Sequence, residues 1–177
     1  MKDGTIVDNM LKGANQKMVN KMTADFLAAL GTKNASQQEL VSGVTFAKDG
    51  SLSYDVIVDA ISELNQEDES KIFIIIPNKW KAALRKDSDY KSAQLGQVIY
   101  NGQVGTICGI PVIATKALTD KAYVMTAEAV KLFMKKDVNV EQDRDVDKRK
   151  NSVYLRMTYV VALVDSTKVC KITEAAS

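Results

Sequence analysis

At 177 residues the chain is long enough to bury one ordinary core or two small interleaved ones, and 24 Lys/Arg against 22 Asp/Glu give a net charge that offers a nucleic-acid partner no support. Histidine is absent, which removes the commonest general base, the Ser-His and Cys-His nucleophile pairs and the commonest metal ligand. Charge is uneven along the chain: residues 1–70 carry six basic against eleven acidic side chains, and residues 71–177 carry eighteen against eleven, a polarity suited to head-to-tail association of copies.

In chain order, Ile6, Met10, Ala14, Met18, Met22 and Phe26 recur at helical spacing up to Leu30, with Thr5 as N-cap and Gly31 as C′ residue. Such a helix is about 40 Å long, a spine rather than a packing element of a small core. Residues 32–53 are polar around one apolar patch at Val44–Ala47. Ser53 then caps a helix over Tyr54–Leu64, whose Val56, Ile57, Ala60, Ile61 and Leu64 share a face. The acidic linker Gln66–Ser70 leads to KIFIIIP, a β-branched run that reads as a strand buried on both faces and ended by Pro77. Asn78 is placed to cap a third helix carrying Trp80, Ala83 and Leu84. Short strands follow around Gln103–Cys108, Pro111–Thr115 and Ala122–Met125, then a short helix, TAEAVKLFM, capped by Thr126. The charged stretch Lys136–Asp147 and the alternating Ser152–Val164 form a long hairpin about the turn Asp145–Asn151, and Thr167–Ile172 is a last strand. The class is α+β, without internal repeats.

The motifs with chemical promise each have a plainer reading. Gly102, Gly105 and Gly109 fit neither dinucleotide nor P-loop spacing and precede a strand, so they read as turns and close backbone approach. Glu63, Glu67, Asp68 and Glu69 lack the turn glycine of a calcium loop and read as a solvated helix end and linker. Glu141, Asp143, Asp145 and Asp147 alternate onto one strand face among Arg144, Lys148, Arg149 and Lys150. They read equally as salt-bridging partners for another chain or as an ordinary exposed hairpin tip. Lys79, Lys81, Arg85, Lys86 and Lys91, interleaved with Trp80 and Tyr90, could grip nucleic acid, but helical spacing turns Trp80 into the core. Cys108 and Cys170 lack CxxC spacing and sit in apolar β contexts, as buried free thiols of a reducing cytoplasm do. The longest apolar run, Ile72–Pro77, is too short to cross a bilayer. No spacing specifies a nucleophile with its activator, so no enzyme, catalytic residue, cofactor or metal is expected.

The runs KIFIIIPNKWKAALR, VGTICGIPVIAT, KAYVMTAEAVKLFMKKDVNVEQDRD and VVALVDSTKVCKI resemble, in that order, the C-terminal part of tailed-bacteriophage major capsid proteins. The likeness runs from Tyr54 to Thr173; each motif is only moderately specific, and their succession is more so. It implies the Hong-Kong-97-type capsid fold, shared with encapsulin shells: a long spine helix, a mixed α/β axial domain and a peripheral β hairpin. On that mapping residues 1–31 are the spine helix of the peripheral domain, 32–134 the axial domain, 135–165 the peripheral hairpin, and 166–177 a C-terminal strand rejoining the axial domain. Family members carry an N-terminal arm and an extended β loop before the spine. Met1 stands a few residues before it here, so a truncated core is expected, able to fold yet short of the lateral grip that closes a shell.

The resemblance further implies self-assembly into an icosahedral head, with pentamers and hexamers of the full-length protein, scaffold or portal proteins as further partners, and no specific nucleic-acid site or membrane. The place would be the virion capsid, after synthesis in the cytoplasm of a bacterial host. Candidate subunit contacts are Asp87, Asp89 and Tyr90 in the polar loop Asp87–Gly105, and Arg144, Asp145, Asp147, Lys148 and Arg149 at the hairpin tip. The alternatives are an encapsulin-type nanocompartment shell and, from a different class, a small α/β ligand-binding domain using the glycine-rich loop.

Overall fold

The computed structural model describes residues 3–47, 52–87, 105–145, 147 and 150–175. They divide into two compact units: residues 1–29 with 131–162, and residues 30–130 with 163–177.

The first unit holds helix α1 (Asp3–Leu30), whose last residue enters the second unit, and strands β6 (Val130–Asp145) and β7 (Lys150–Leu163), paired as a two-stranded sheet. The helix already includes Asp3, so Thr5 lies inside it rather than capping it. It stops at Leu30 as expected, but Gly31 does not take the positive φ of a left-handed cap. Leu11, Ala14, Met18, Met22 and Phe26 make its half-buried stripe. Along β7 the half-buried Val153, Leu155, Met157, Tyr159 and Val161 alternate with the exposed Tyr154, Arg156, Thr158 and Val160, the period of two that places one face of a strand against a neighbour.

The second unit is built on a six-stranded sheet in the order β1-β8-β5-β2-β4-β3. Its strands are β1 (Ser42–Phe46), β2 (Ile72–Pro77), β3 (Thr106–Ile107), β4 (Ile110–Thr115), β5 (Lys121–Thr126) and β8 (Val169–Glu174). β1 runs parallel to β8 and β2 to β4, while β5 is antiparallel to both β2 and β8. Helix α2 (Tyr54–Leu64) forms over the predicted span; the Ser53 hydroxyl accepts the Val56 N–H at 3.4 Å, and Asn65 closes the far end in the left-handed region. Its buried Ile57, Ala60, Ile61 and Leu64 share one core with Ile72, Ile74 and Ile76 of β2, and with Val124 and Ile172 from β5 and β8. Burial of each large aliphatic side chain contributes roughly 1.5–3 kcal/mol. Trp80 stands in this core, edge-on to Phe46 at 5.3 Å between ring centroids.

Four further sequence expectations change. The segment TAEAVKLFM makes only a turn, with the Ala129 N–H on the Thr126 carbonyl, before running on as β6. Its helix-favouring residues are overridden because pairing with β7 satisfies the backbone, and because the Ala129 carbonyl takes the N–H groups of Val164 and Asp165. Asn78 does not cap the third helix: residues 78–80 form a turn in which the Asn78 N–H reaches the Thr115 carbonyl, and helix α3 (Lys81–Lys86) starts after Trp80. β1 arises in the apolar patch that carried no strand assignment. It needs Gly43 there, since a Cβ would meet the Lys171 carbonyl oxygen at 2.9 Å. Cys108 is exposed, not buried, because Cys108 and Gly109 form the two-residue turn between β3 and β4 with φ of 51° and 80°, the doubly left-handed geometry of a tight hairpin. Gly109 thus bends the chain between two strands. The predicted strand's beginning at Gln103, together with Gly102, lies outside the described residues.

Candidate subunit-contact surfaces

The predicted contact residues fall in both units. In the sheet unit, the Asp87 carboxylate accepts the N–H of Tyr54, the first residue of α2, at 2.9 Å. It therefore satisfies an orphan donor at a helix start, a role that sequence spacing could not reveal across 33 residues. Asp89 and Tyr90 lie outside the described residues. In the helix–hairpin unit, Asp145 ends β6, and Arg144 and Asp147 are exposed beside it; Lys148 and Arg149 lie outside the described residues. The structure brings Arg144, Asp145 and Asp147 to one end of the hairpin. It places Asp87 in the other unit.

Two polar clusters escaped sequence reasoning because their members are far apart in the chain. Glu39, in the loop after α1, takes Lys121 of β5 at 3.2 Å on one carboxylate oxygen and Lys171 of β8 on the other. Lys171, assisted by Lys121, holds the Glu39 carboxyl below its ordinary value against the opposing effect of burial. In the helix–hairpin unit the Tyr159 hydroxyl donates to Asp25 at 2.7 Å, and Lys21 pairs with the same carboxylate at 2.5 Å. Lys21 foremost, then Tyr159, lowers the Asp25 pKa, and the Asp25 carboxylate raises that of Tyr159. The three residues border a groove of about 530 Å³ between α1 and β7, also lined by Met18, Leu155 and Met157.

Apolar surface is plentiful on the same unit. Leu132, Phe133, Met134, Val138 and Val140 of β6 and Tyr154 and Val160 of β7 are all exposed. Burial pushes the Cys170 thiol up to about 11, so it stays protonated and un-nucleophilic. Tyr54 Oη and Cys108 Sγ lie 3.1 Å apart, and that contact raises the Tyr54 pKa. Among the described residues no group of three acidic or thiol side chains is placed to hold a metal ion, and no helix is long and apolar enough to cross a membrane.

The major capsid protein of Staphylococcus phage phiMR11 is 29% identical over 122 residues, covering 66% of this chain and 44% of the relative. Among solved structures, one from Mycobacterium phage Che8 superposes with a TM-score of 0.66 at 18% identity, over 91% of this chain and 60% of that one. The capsid of cyanophage P-SCSP1u gives 0.71 at 12% identity, over all of this chain and 67% of that one. The holo-SrpI encapsulin complex from Synechococcus elongatus gives 0.64 at 14%, over 94% and 65%. The chain thus spans under half the length of the phiMR11 protein and about two thirds of the structures. The family model described as the phage capsid family matches residues 4–167, nearly the whole chain: it belongs to the phage capsid family, with the α+β capsid fold that its spine helix, mixed sheet and hairpin suggest.

Proposed function

We propose that this chain is the core of a major capsid subunit, a structural and non-enzymatic protein whose mechanism is self-association into the icosahedral shell of a virion. The family match across residues 4–167 carries this reading, and the exposed apolar ribbon of β6 and β7 supports it. The helix–hairpin unit is the peripheral part and the sheet unit the axial part. Arg144 with its neighbours at the hairpin end contacts another copy. Scaffold or portal proteins are further partners during head assembly in the bacterial host. Fold likeness to an encapsulin favours, as a second reading, a nanocompartment shell; particles carrying a cargo protein in place of DNA would select it.

The test is light scattering with negative-stain microscopy on this chain alone and on the protein from the full reading frame that encodes it. Closed shells from the full product support the reading, and monomers or dimers at every concentration reject it. Arg144→Glu with Arg149→Glu in that product is expected to prevent closure without moving the melting temperature. Normal shells from the double variant would remove the hairpin end from the contact.

A further inference from the structure

Methionine is unevenly distributed over the fold. The sheet unit holds Met125 alone, fully buried in β5. Met10, Met18, Met22, Met134 and Met157 all fall in the helix–hairpin unit, where no described side chain is fully buried. Met18 and Met22 belong to the half-buried stripe of α1, and Met157 to the half-buried row of β7. Unbranched, adaptable thioethers thus fill a seam of loose shape, while branched side chains dominate the closed core.

Two of these sulfurs stand where solvent reaches. Met18 and Met157 line the groove of about 530 Å³ from its two sides, one from α1 and one from β7. A second hollow of about 290 Å³ shares Lys17 and Leu155 with it and continues past Gly13 to Leu11 and Val153. A Cβ placed on Gly13 would meet nothing within 4 Å, so the helix leaves the seam open there. Hydrogen peroxide is little larger than water, whose share of liquid volume is about 30 Å³, and such a groove admits it. Met125, with 0% exposure, has no comparable access.

The seam is poorly equipped to receive an oxygen atom. Its hydrogen-bond donors Lys21 and Tyr159 are both committed to Asp25, and Lys17 and Thr158 are exposed to water. A sulfoxide is polar and a much stronger acceptor than the thioether it replaces. Its oxygen is therefore left unmet among Leu155 and its apolar neighbours, or it draws Lys21 or Tyr159 away from Asp25. Either result loosens the contact of α1 with β7, which the hydrogen bond from Tyr159 to Asp25 helps to hold.

We propose that this seam is an oxidation-sensitive latch, in which a peroxide converts Met18 and Met157 to sulfoxides and so parts the hairpin from the helix. Each thioether sulfur gives a lone pair to one peroxide oxygen, and the O–O bond breaks. The sulfur is oxidised by two electrons, and the other oxygen leaves as water. Two-electron reduction by a methionine sulfoxide reductase restores the thioether and recloses the latch. The device lies within one unit of one chain and needs no second copy.

The experiment treats the 177-residue protein with hydrogen peroxide. Peptide mass spectrometry follows each sulfur, and amide hydrogen exchange follows β7. Met18 and Met157 are expected to oxidise at least ~10-fold faster than Met125. Exchange along β7 is expected to accelerate about fivefold or more, while β2 and β5 keep their protection. Reductase treatment is expected to reverse the acceleration without any mutation. Met18→Leu with Met157→Leu conserves volume and apolar character and deletes both groove sulfurs. It leaves Met134, 52% exposed and outside the groove, as an oxidisable control. Peroxide is expected to oxidise Met134 in this variant without changing exchange in β7.

Rates at Met18 and Met157 no higher than at Met125 overturn the proposal. So do unchanged β7 exchange after both sulfurs are oxidised, acceleration that survives their reduction, and equal acceleration in the double variant. Amides of β7 already unprotected before treatment overturn it as well, since no latch is then closed.

Discussion

The two units are stabilised in different ways. Every fully buried side chain among the described residues belongs to the sheet unit, from Leu30 and Ile57 through Ile74 to Ile172. Among the described residues the helix–hairpin unit has only half-buried and exposed side chains, although it includes the longest helix and the two longest strands. Length of secondary structure is thus no guide to where the free energy of folding resides. A long ribbon with apolar residues in water is held mainly by backbone pairing and one layer of contact with α1, whereas six short strands and two helices enclose a buried core. The difference predicts that the helix–hairpin unit opens more readily than the sheet unit.

The largest expected effect tests that contrast directly. Ile74→Ala, in the middle of β2, should cost about 2–5 kcal/mol of stability. Val160→Ala, on the exposed face of β7, should stay within about 0.5 kcal/mol. Denaturant titration of both variants decides the matter, and similar losses would mean that the hairpin has a core of its own.

A smaller effect sharpens the comparison at the grip between α1 and β7. Tyr159→Phe removes the hydroxyl that Asp25 accepts. Amide exchange along β7 should accelerate while β2 and β5 keep their protection, and the Asp25 carboxyl should titrate nearer its ordinary 3.8. The folded pKa of Asp25 is depressed, so its contribution is present above that ordinary value and lost as pH falls through the folded one. The variant should show less of this acid-side loss.

The smallest effect lies in the sheet unit. Glu39 ties its loop to β5 and β8 through two lysines, and its folded pKa is likewise depressed from an ordinary 4.5. That tie should persist above 4.5 and weaken as pH falls through the folded value, by a few tenths to about 1 kcal/mol for part-exposed pairs. Glu39→Gln should remove this pH dependence, as followed by amide exchange in residues 31–41.

Several of these features could be read from the chain itself, where local chemistry decides. Ser53 before an amphipathic stretch fixed the start of α2, and the unbroken run in KIFIIIP marked a strand covered on both faces. Other features depended on distant partners. β1 exists because β8 pairs with it across well over a hundred residues, and β6 is a strand because β7 meets it, despite a helix-favouring start. The clusters at Glu39 and Asp25 join residues up to 134 positions apart, beyond any spacing rule.

The place of β8 has a consequence for synthesis. It lies between β1 and β5, and among the described residues β1 has β8 as its only neighbour in the sheet. A nascent chain that has delivered β1, α2, β2 and β5 still holds an open slot, because the strand that joins the two sides is translated after the whole hairpin. The loop closed by pairing Ser42 with Cys170 is long, so this step is slow relative to local contacts. The sheet is complete only once residues 169–174 are available. A chain still on the ribosome thus carries β1 without its partner strand until its last residues emerge.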